Sequence, residues 1–346
     1  MLRKLLKHLI FIVNIGFVLC LFLSGASFHI SPEHTLTALA ALSFNFFAII
    51  NLCFVAWWIV LRKWHFLLSA ISLLIFAPRY SDYFYSTNAD NNGTLIKVMS
   101  YNVRTLGVHE GKPRTSEFLK LLNTEKPDIL CLTESYNGSN YGNIPAQLKK
   151  QYKYAQLHTQ SNKIGRAIYS KFPIVNANDD FAFPHSANGF FYADIKVKTD
   201  TIRVFCCHLQ SMSLTQKNIG TVNAPTNTNK KEIQSLTTKL RQGYNKKGAQ
   251  VARLRSEIEQ SPYPTLICGD MNDTPSSYLY HSLHNVAHDS HRVAGKGWGT
   301  TFTSFIFGLR IDYIFFSNQL QCKEFRTLRS DISDHRPVVG DYLIVD

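Results

Sequence analysis

The chain has 346 residues, 45% of them hydrophobic and only 18% charged, with a formal net charge of +13. That length suggests two domains or one domain with an appendage. The apolar share excludes a disordered or collagen-like chain and leaves ample material for a core. The charge is uneven, net +3 up to Thr94 and net +10 beyond it.

Leu9 to Phe28 is a run of 20 residues without a charge, and Thr35 to Leu61 is one of 27. Each is long enough to cross a hydrocarbon core of roughly 30 Å. A third run, Trp64 to Pro78, is shorter, and the cluster Tyr80, Tyr83, Phe84 and Tyr85 that follows it suits a membrane interface. Residues 1–85 therefore read as a multi-pass cell-membrane region with two or three transmembrane helices. The first run also carries marks of a signal peptide: a basic start at Arg3, Lys4 and Lys7, and small residues at Ser24-Gly25-Ala26-Ser27. It is long for that role, and a second run follows closely. Basic residues gather at the N-terminus and at Arg62-Lys63, and none lies between His29 and His34. Basic loops stay cytoplasmic, so three spans place everything after Tyr80 on the extracytoplasmic side, and two, without the third run, place it in the cytoplasm. The spans contain no Asp, Glu, Lys or Arg. They read as an anchor rather than a transport path.

Residues 86–94, STNADNNGT, are polar and turn-forming and read as a linker. From 95 to 346 apolar strand-like runs alternate with helical patterns. Strands are predicted within Ile96–Tyr101, Pro127–Thr133, Ala167–Tyr169, Phe190–Val197, Ile202–His208, Thr265–Cys268, Ile311–Phe316 and Val338–Ile344. Helices are predicted over Ser116–Thr124 and around Val251, Leu254 and Ile258. This mixture predicts an α/β sandwich with helices covering sheets. Cys131, Cys206, Cys207, Cys268 and Cys322 lie mostly in strand-like runs and read as buried free thiols, since adjacent Cys206 and Cys207 point to opposite faces of a strand. Ser213 to Arg255 holds nine basic residues against the single acid Glu232. It reads as a solvated, mobile surface insertion or as a contact to anionic lipid headgroups or a polyanionic substrate.

Acidic, amide and histidine residues stand at the ends of the apolar runs. Asn102 ends MSYN, Glu134 ends DILCLTE, and His208 follows VFCC. Asp270 and Asn272 end LICGDMN, Asp312 opens IDYIFF, and Asp334 and His335 lie in SDHRPV. Strand ends present side chains from a rigid scaffold to a shared cleft. Singly, each reads as a turn residue or helix cap. Together, their hard oxygen donors suit Mg²⁺ or Mn²⁺ rather than zinc. The chain has no H-E-x-x-H, paired-cysteine zinc pattern, Walker A loop or G-x-S-x-G elbow.

In this order the segments resemble the endonuclease/exonuclease/phosphatase superfamily, which includes pancreatic-type deoxyribonuclease, AP endonucleases, neutral sphingomyelinases and inositol-phosphate 5-phosphatases. The resemblance runs from about Lys97 to Val345 and includes GRAIYSKFPI. With the apolar N-terminal runs, the arrangement looks like a membrane-anchored bacterial branch. The resemblance implies a four-layered α/β sandwich, two β-sheets flanked by helices, with the active site at one edge. It implies Glu134 as principal metal ligand, Asn102 beside it and Asp334 completing the shell around Mg²⁺ or Mn²⁺. Asp270 would orient or deprotonate the attacking water, and Asn272 would hold a phosphate oxygen. Asp312 would pair with His335, and His335 and His208 would contact the phosphate. Arg104 stands where AP endonucleases have an acidic residue, which argues against a second metal there and leaves it a candidate substrate-binding residue. His208 stands where the nuclease, sphingomyelinase and phosphatase branches have histidine and the AP endonucleases do not.

The expected function is that of a membrane-anchored, divalent-metal-dependent phosphohydrolase, a phosphodiesterase in which water attacks a phosphate ester. Its expected partners are the lipid bilayer and a nucleic-acid or phospholipid substrate; no protein partner is inferred. Trp298, Phe302, Phe305 and Phe307 read either as a surface for stacking bases or as core packing. The alternative is a catalytically inactive binding or scaffold protein on the same fold.

Overall fold

The structure, a computed structural model, describes residues 2–30, 40–41, 43–77, 93–108, 111–136, 138, 144–159, 162–178, 188–211, 230–304 and 308–345. The expected aromatic interface cluster after Pro78, most of the expected linker, Phe305, Phe307 and the first part of the basic stretch lie outside the described residues. The chain divides into two units. One comprises Tyr83–Met212, Ala249–Asn272 and Leu283–Asp346; the other comprises Met1–Asp82, Ser213–Gly248 and Asp273–Ser282.

The first unit is built from β1 (Thr94–Asn102), β2 (Ile129–Tyr136), β3 (Tyr154–Thr159), β4 (Ile164–Ser170), β5 (Ile174–Asn178), β6 (Gly189–Val197), β7 (Asp200–His208), β8 (Thr265–Asp270), β9 (His288–Asp289), β10 (Asp312–Phe316), β11 (Leu320–Thr327) and β12 (Val338–Ile344). They form two six-stranded sheets, ordered β11-β12-β1-β2-β4-β3 and β5-β6-β7-β8-β10-β9. Each sheet has one parallel pair, β1 with β2 and β7 with β8. Parallel neighbours need a long crossover. The helices Thr115–Glu125 and Lys230–Glu259 lie in those two connections.

β2 shows how the residues choose their places. Its run is apolar on both faces, as expected for a strand covered on both sides. Ile129 and Cys131 join Ile168 of β4, Cys206 of β7, Cys268 of β8 and Ile314 of β10 in the core shared by the two sheets. Leu130 and Leu132 face the other way and pack with Phe118 and Leu122 of the helix Thr115–Glu125. That helix stops at Lys126, whose backbone is left-handed and whose N–H bonds to the carbonyl of Leu122; Pro127 follows. The cysteines of this unit are buried free thiols, as read from their strand positions. The two mixed sheets realise the expected α/β architecture.

The second unit is helical at its N-terminus. Lys4–Ala26, within the helix Leu2–Ala26, has mean hydropathy 2.5 over its best window and is, among the described residues, the one helix long and apolar enough to cross a membrane. By length and composition it serves equally as an anchor or a signal. Among the described residues, the other two apolar runs hold helices of 17 residues, Phe44–Val60, and 11 residues, Phe66–Phe76. At about 1.5 Å per residue these fall short of a hydrocarbon core of roughly 30 Å. The multi-pass expectation is therefore corrected to one helix of spanning length.

The three helices bury polar groups and expose leucines. The Asn14 amide donates to Ser69 Oγ at 2.7 Å, Ser69 Oγ donates to Asn51 Oδ1 at 2.9 Å, and Trp58 Nε1 donates to Asn14 Oδ1 at 3.0 Å. Leu9, Ile12, Leu19, Leu52 and Leu74 are exposed. Segment 273–282 packs in the same unit: Ser27 Oγ donates to the carbonyl of Ser276 at 3.2 Å, and the Phe28 and His281 rings lie 4.2 Å apart.

The basic stretch is helical from Lys230 onward. Tyr244, Lys247, Val251, Leu254 and Ile258 form its buried stripe, at spacings of three and four residues. Lys247 is spent on Asp273 at 3.3 Å, and Arg253 and Arg255 pair with Glu257 and Glu259 one turn on.

Replacing Asn14 with Leu removes the shared partner of Trp58 and Ser69. The expected cost is about 1–2 kcal/mol, measured as a lower midpoint of thermal unfolding in detergent. An unchanged midpoint would show that the polar chain does not hold the helices together.

Candidate active site

Strand register brings the predicted residues together. β1 and β2 are parallel, so Asn102 reaches the same edge as Thr133 and, next to it, Glu134. In the other sheet His208 is the register partner of Asp270, and Asp270 is the register partner of Asp312. The antiparallel β12 returns the preceding His335 to the end of β1.

Local backbone features aim the side chains. Glu134 has φ 49° within a bulge where β2 slips against β4 between Leu132 and Ser135. A bulge re-aims a side chain that regular pleating would turn away. Asn272 is also left-handed, with φ 51°, and its N–H bonds to Asp270 Oδ1 at 2.8 Å. Gly269 permits the approach of β7 and β8: a Cβ there would stand 1.9 Å from the carbonyl oxygen of Cys207. It also has φ 138°, a conformation that glycine adopts without strain.

The Asn102 amide nitrogen donates to Glu134 Oε1 at 3.1 Å and to Asp270 Oδ2 at 3.0 Å, tying the two sheets' carboxylates to one group. Its oxygen accepts the Arg104 N–H at 3.1 Å. His208 Nε2 lies 3.5 Å from Glu134 and 3.8 Å from Asp270. His335 Nδ1 bonds to Asp312 Oδ2 at 2.9 Å, and its Nε2 points to Asp270 at 3.8 Å. One ligand atom each from Asp270, Asp312 and His335 lies within 4.8 Å of the other two. Asp270, Asp312, His208, His335 and Asn102 are buried, whereas the Glu134 side chain is 34% exposed. Glu134 therefore forms the open side of the cluster.

Burial and charge divide the two histidines. Burial opposes a charge on His335, but Asp312, Asp270 and Asp334 outweigh it and lift its pKa to about 10. For His208 burial dominates, and with Arg166 and His335 nearby its pKa falls to about 4 despite Asp270. One ring is thus a cation at neutral pH and the other is neutral. Asp270 is pushed upward by burial and by the Asp312 carboxylate.

Two expected residues have other partners here. The Asn272 amide donates to the carbonyl of Leu209 at 3.0 Å, and Asp334 is held by Arg104 at 2.9 Å. Phe302 packs on His335 with ring centroids 5.0 Å apart, while Trp298 is exposed. Three further residues shape the site. Thr301 Oγ1 accepts the N–H groups of Ile311 and Asp312, Ser333 Oγ accepts the N–H of His335, and Arg166 lies buried near His208. A threonine in a loop and an arginine inside a strand carry no local pattern that announces these roles.

Residues 99–335 match the family model described as Endonuclease/Exonuclease/phosphatase family, and the chain belongs to that family. It is a hydrolase of phosphate esters. Residues 7–83 match a second model, described as Domain of unknown function (DUF8431). No curated protein matches the chain in sequence. Among solved structures, the endonuclease/exonuclease/phosphatase from Beutenbergia cavernae DSM 12333 is similar with a TM-score of 0.52 at 16% identity, covering 72% of each chain. The family member from Bacteroides vulgatus has a TM-score of 0.52 at 15% identity, covering 72% of this chain and 99% of that one. The human Nocturnin catalytic domain has a TM-score of 0.50 at 18% identity, covering 77% of this chain and 97% of that one. At these identities the likeness is one of fold.

The His335 charge has a measurable signature. Its folded pKa of about 10 lies above the ordinary 6.5. The charged ring therefore stabilises the fold fully below about pH 6.5, and that contribution fades as pH rises through about 10. In metal-free protein the His335 ring resonances should stay in the protonated position through neutral pH. In Asp312→Asn they should titrate at least about one unit lower. A wild-type ring titrating near the ordinary value would remove the proposed pairing.

Proposed function

We propose that the chain is a membrane-anchored phosphodiesterase that uses Mg²⁺ or Mn²⁺ to cleave a phosphate ester with water. The observation that carries this reading is the convergence of Glu134, Asp270 and Asp312 on Asn102, His208 and His335 at one edge of the two sheets.

The donor set fits a hard divalent cation: it is carboxylate oxygen, with no thiolate among these residues, and the Asn102 amide oxygen would join it by turning from the Arg104 N–H. The partly exposed Glu134 leaves such an ion a way in. We assign the ion to Glu134 and Asn102, with Asp334 completing the shell. A bound cation supplies charge stabilisation to the phosphoryl oxygens. The protein's own groups do the rest. Asp270, held by Asn272 N–H and the Asn102 amide, orients the attacking water and receives its proton. Protonated His335, fixed by Asp312, donates to a phosphate oxygen and opposes the charge that develops there. Neutral His208 donates a second hydrogen bond, and Asn272 holds a third oxygen.

A phospholipid headgroup is the favoured substrate, with nucleic acid second. Outward leucines around an inward polar chain suit helices surrounded by lipid. Segment 273–282, packed with those helices, continues directly from Asn272 in the chain. The pairing of Lys247, Arg253 and Arg255 with acids weakens the case for a polyanion groove. With Arg3, Lys4 and Lys7 on the cytoplasmic side, a single crossing by the first helix would place the sandwich unit outside the cytoplasm.

The test uses the full chain in detergent and in vesicles, with Mg²⁺ or Mn²⁺, with and without chelator. Its substrates are bis-(p-nitrophenyl) phosphate, the monoester, DNA, RNA, sphingomyelin and phosphatidylinositol phosphates. Chelator-sensitive cleavage of a diester is expected, with Asp270→Asn and His335→Ala each lowering kcat by about a hundredfold or more. Full activity in either variant would overturn the site assignment. A folded wild type that neither binds metal nor cleaves any substrate would favour a scaffold.

A further inference from the structure

The three N-terminal helices carry charge at one end only. Leu2–Ala26, Phe44–Val60 and Phe66–Phe76 contain no Asp or Glu. Their basic residues all lie in the first two turns of Leu2–Ala26, and Arg62 and Lys63 lie in the turn between the other two helices. Ring contacts bring these two groups to the same end. Phe11 stacks on His65 with centroids 4.3 Å apart and meets Trp58 at 6.3 Å. Lys4, Lys7 and Phe11 follow helical spacing, so the two lysines share the face that meets the turn. At about 1.5 Å per residue, Lys7 stands roughly 6 Å and Lys4 roughly 10 Å beyond Phe11 along the axis. The first helix thus overhangs the turn with a row of cations. Lys4, Lys7, Arg62 and Lys63 are exposed, and Trp64 beside them is 68% exposed.

The turn itself is tightly closed. The N–H of Lys63 bonds to the carbonyl of Trp58, and that of Arg62 to the carbonyl of Ile59, both at 2.9 Å. This cap needs a left-handed residue, usually glycine, and Arg62 fills it with φ 51°. A side chain there carries a steric cost that glycine avoids. What arginine adds in return is a charge, fixed in place by the two hydrogen bonds. An anion at this end meets cations from two walls and no carboxylate from any of the three helices. Basic residues with an exposed tryptophan are the composition of a membrane–water interface, where the phosphates of lipids lie.

We propose that this end of the helices binds the headgroup of an anionic phospholipid, with Lys4 and Lys7 on one wall and Arg62 and Lys63 on the other. This rests on the membrane-anchor reading above and goes beyond it: the anchor selects the charge of its lipid.

The experiment uses the full chain in an uncharged detergent, titrated with short-chain phosphatidylglycerol, short-chain phosphatidylcholine or inorganic phosphate. Its readout is the midpoint of thermal unfolding. Phosphatidylglycerol should raise the midpoint well above the effect of the other two, and added salt should weaken the difference. Arg62→Gly should act in opposite directions: a higher midpoint without lipid, because strain is relieved, and about fivefold weaker affinity for phosphatidylglycerol. With Lys4→Gln, Lys7→Gln and Lys63→Gln added, the two lipids should become equivalent. Equal effects of the two lipids on the wild type, an equal effect of inorganic phosphate, or a preference kept by the fourfold variant would overturn the inference. Flotation with phosphatidylcholine vesicles separates the two readings. A chain that floats with them but shows no preference for phosphatidylglycerol keeps the anchor and loses this site. A chain that does not float loses both.

Discussion

Carboxylates repel one another most strongly where water is excluded. Glu134, Asp270, Asp312 and Asp334 all stand at one edge of this sandwich, and two of them are almost wholly buried. Such a cluster holds only where each charge is answered. Asp312 is answered by His335 and Asp334 by Arg104. Asp270 receives the Asn272 N–H and, with Glu134, the Asn102 amide. The strained backbone at Glu134 and Asn272 serves the same purpose, turning one side chain into the cluster and one N–H onto it. The chemistry proposed above uses the residual negative charge to draw a cation, and the cation with His335 to draw a phosphate.

The strand-end residues were legible in the sequence because apolar runs end abruptly in polar residues there. All nine lie in one contact network: Asn102, Glu134, His208, Asp270, Asp312 and His335 at its centre, Asn272 through its N–H on Asp270, and Arg104 with Asp334 through the Arg104 N–H on Asn102. Asp334 and Arg104 form a pair that spacing does not reveal, since 230 positions separate them. The supporting Thr301 and Ser333 were missed because a hydroxyl that accepts a backbone N–H looks like any loop hydroxyl in a sequence. The sheets themselves were legible wherever both faces are apolar, as in Ile129–Tyr136. β3 and β5, at the outer edges of the two sheets, have few buried residues and left little periodic signal.

The apolar N-terminus teaches a different lesson. A run without charges measures how far apolar composition extends, not how far a helix does. Thr35 to Leu61 has 27 such residues, yet among its described residues the long helix is Phe44–Val60. Among the described residues of Trp64 to Pro78 the helix is Phe66–Phe76. The basic stretch is the converse case. Its charge suggested solvent, but Lys247 is buried on Asp273 beside Tyr244. Long basic side chains can lie along apolar surfaces, so a count of lysines does not locate a free face.

The central claim is that the cluster is completed by a divalent cation at Glu134. The most direct measurement is the shift in the thermal midpoint of the full chain with increasing Mn²⁺, wild type against Glu134→Gln. An ion that binds only the folded state raises the midpoint as its concentration exceeds its dissociation constant. The account predicts a midpoint for the wild type that keeps rising with Mn²⁺, and little or no rise for Glu134→Gln. No shift in the wild type, or an equal shift in both, would contradict it.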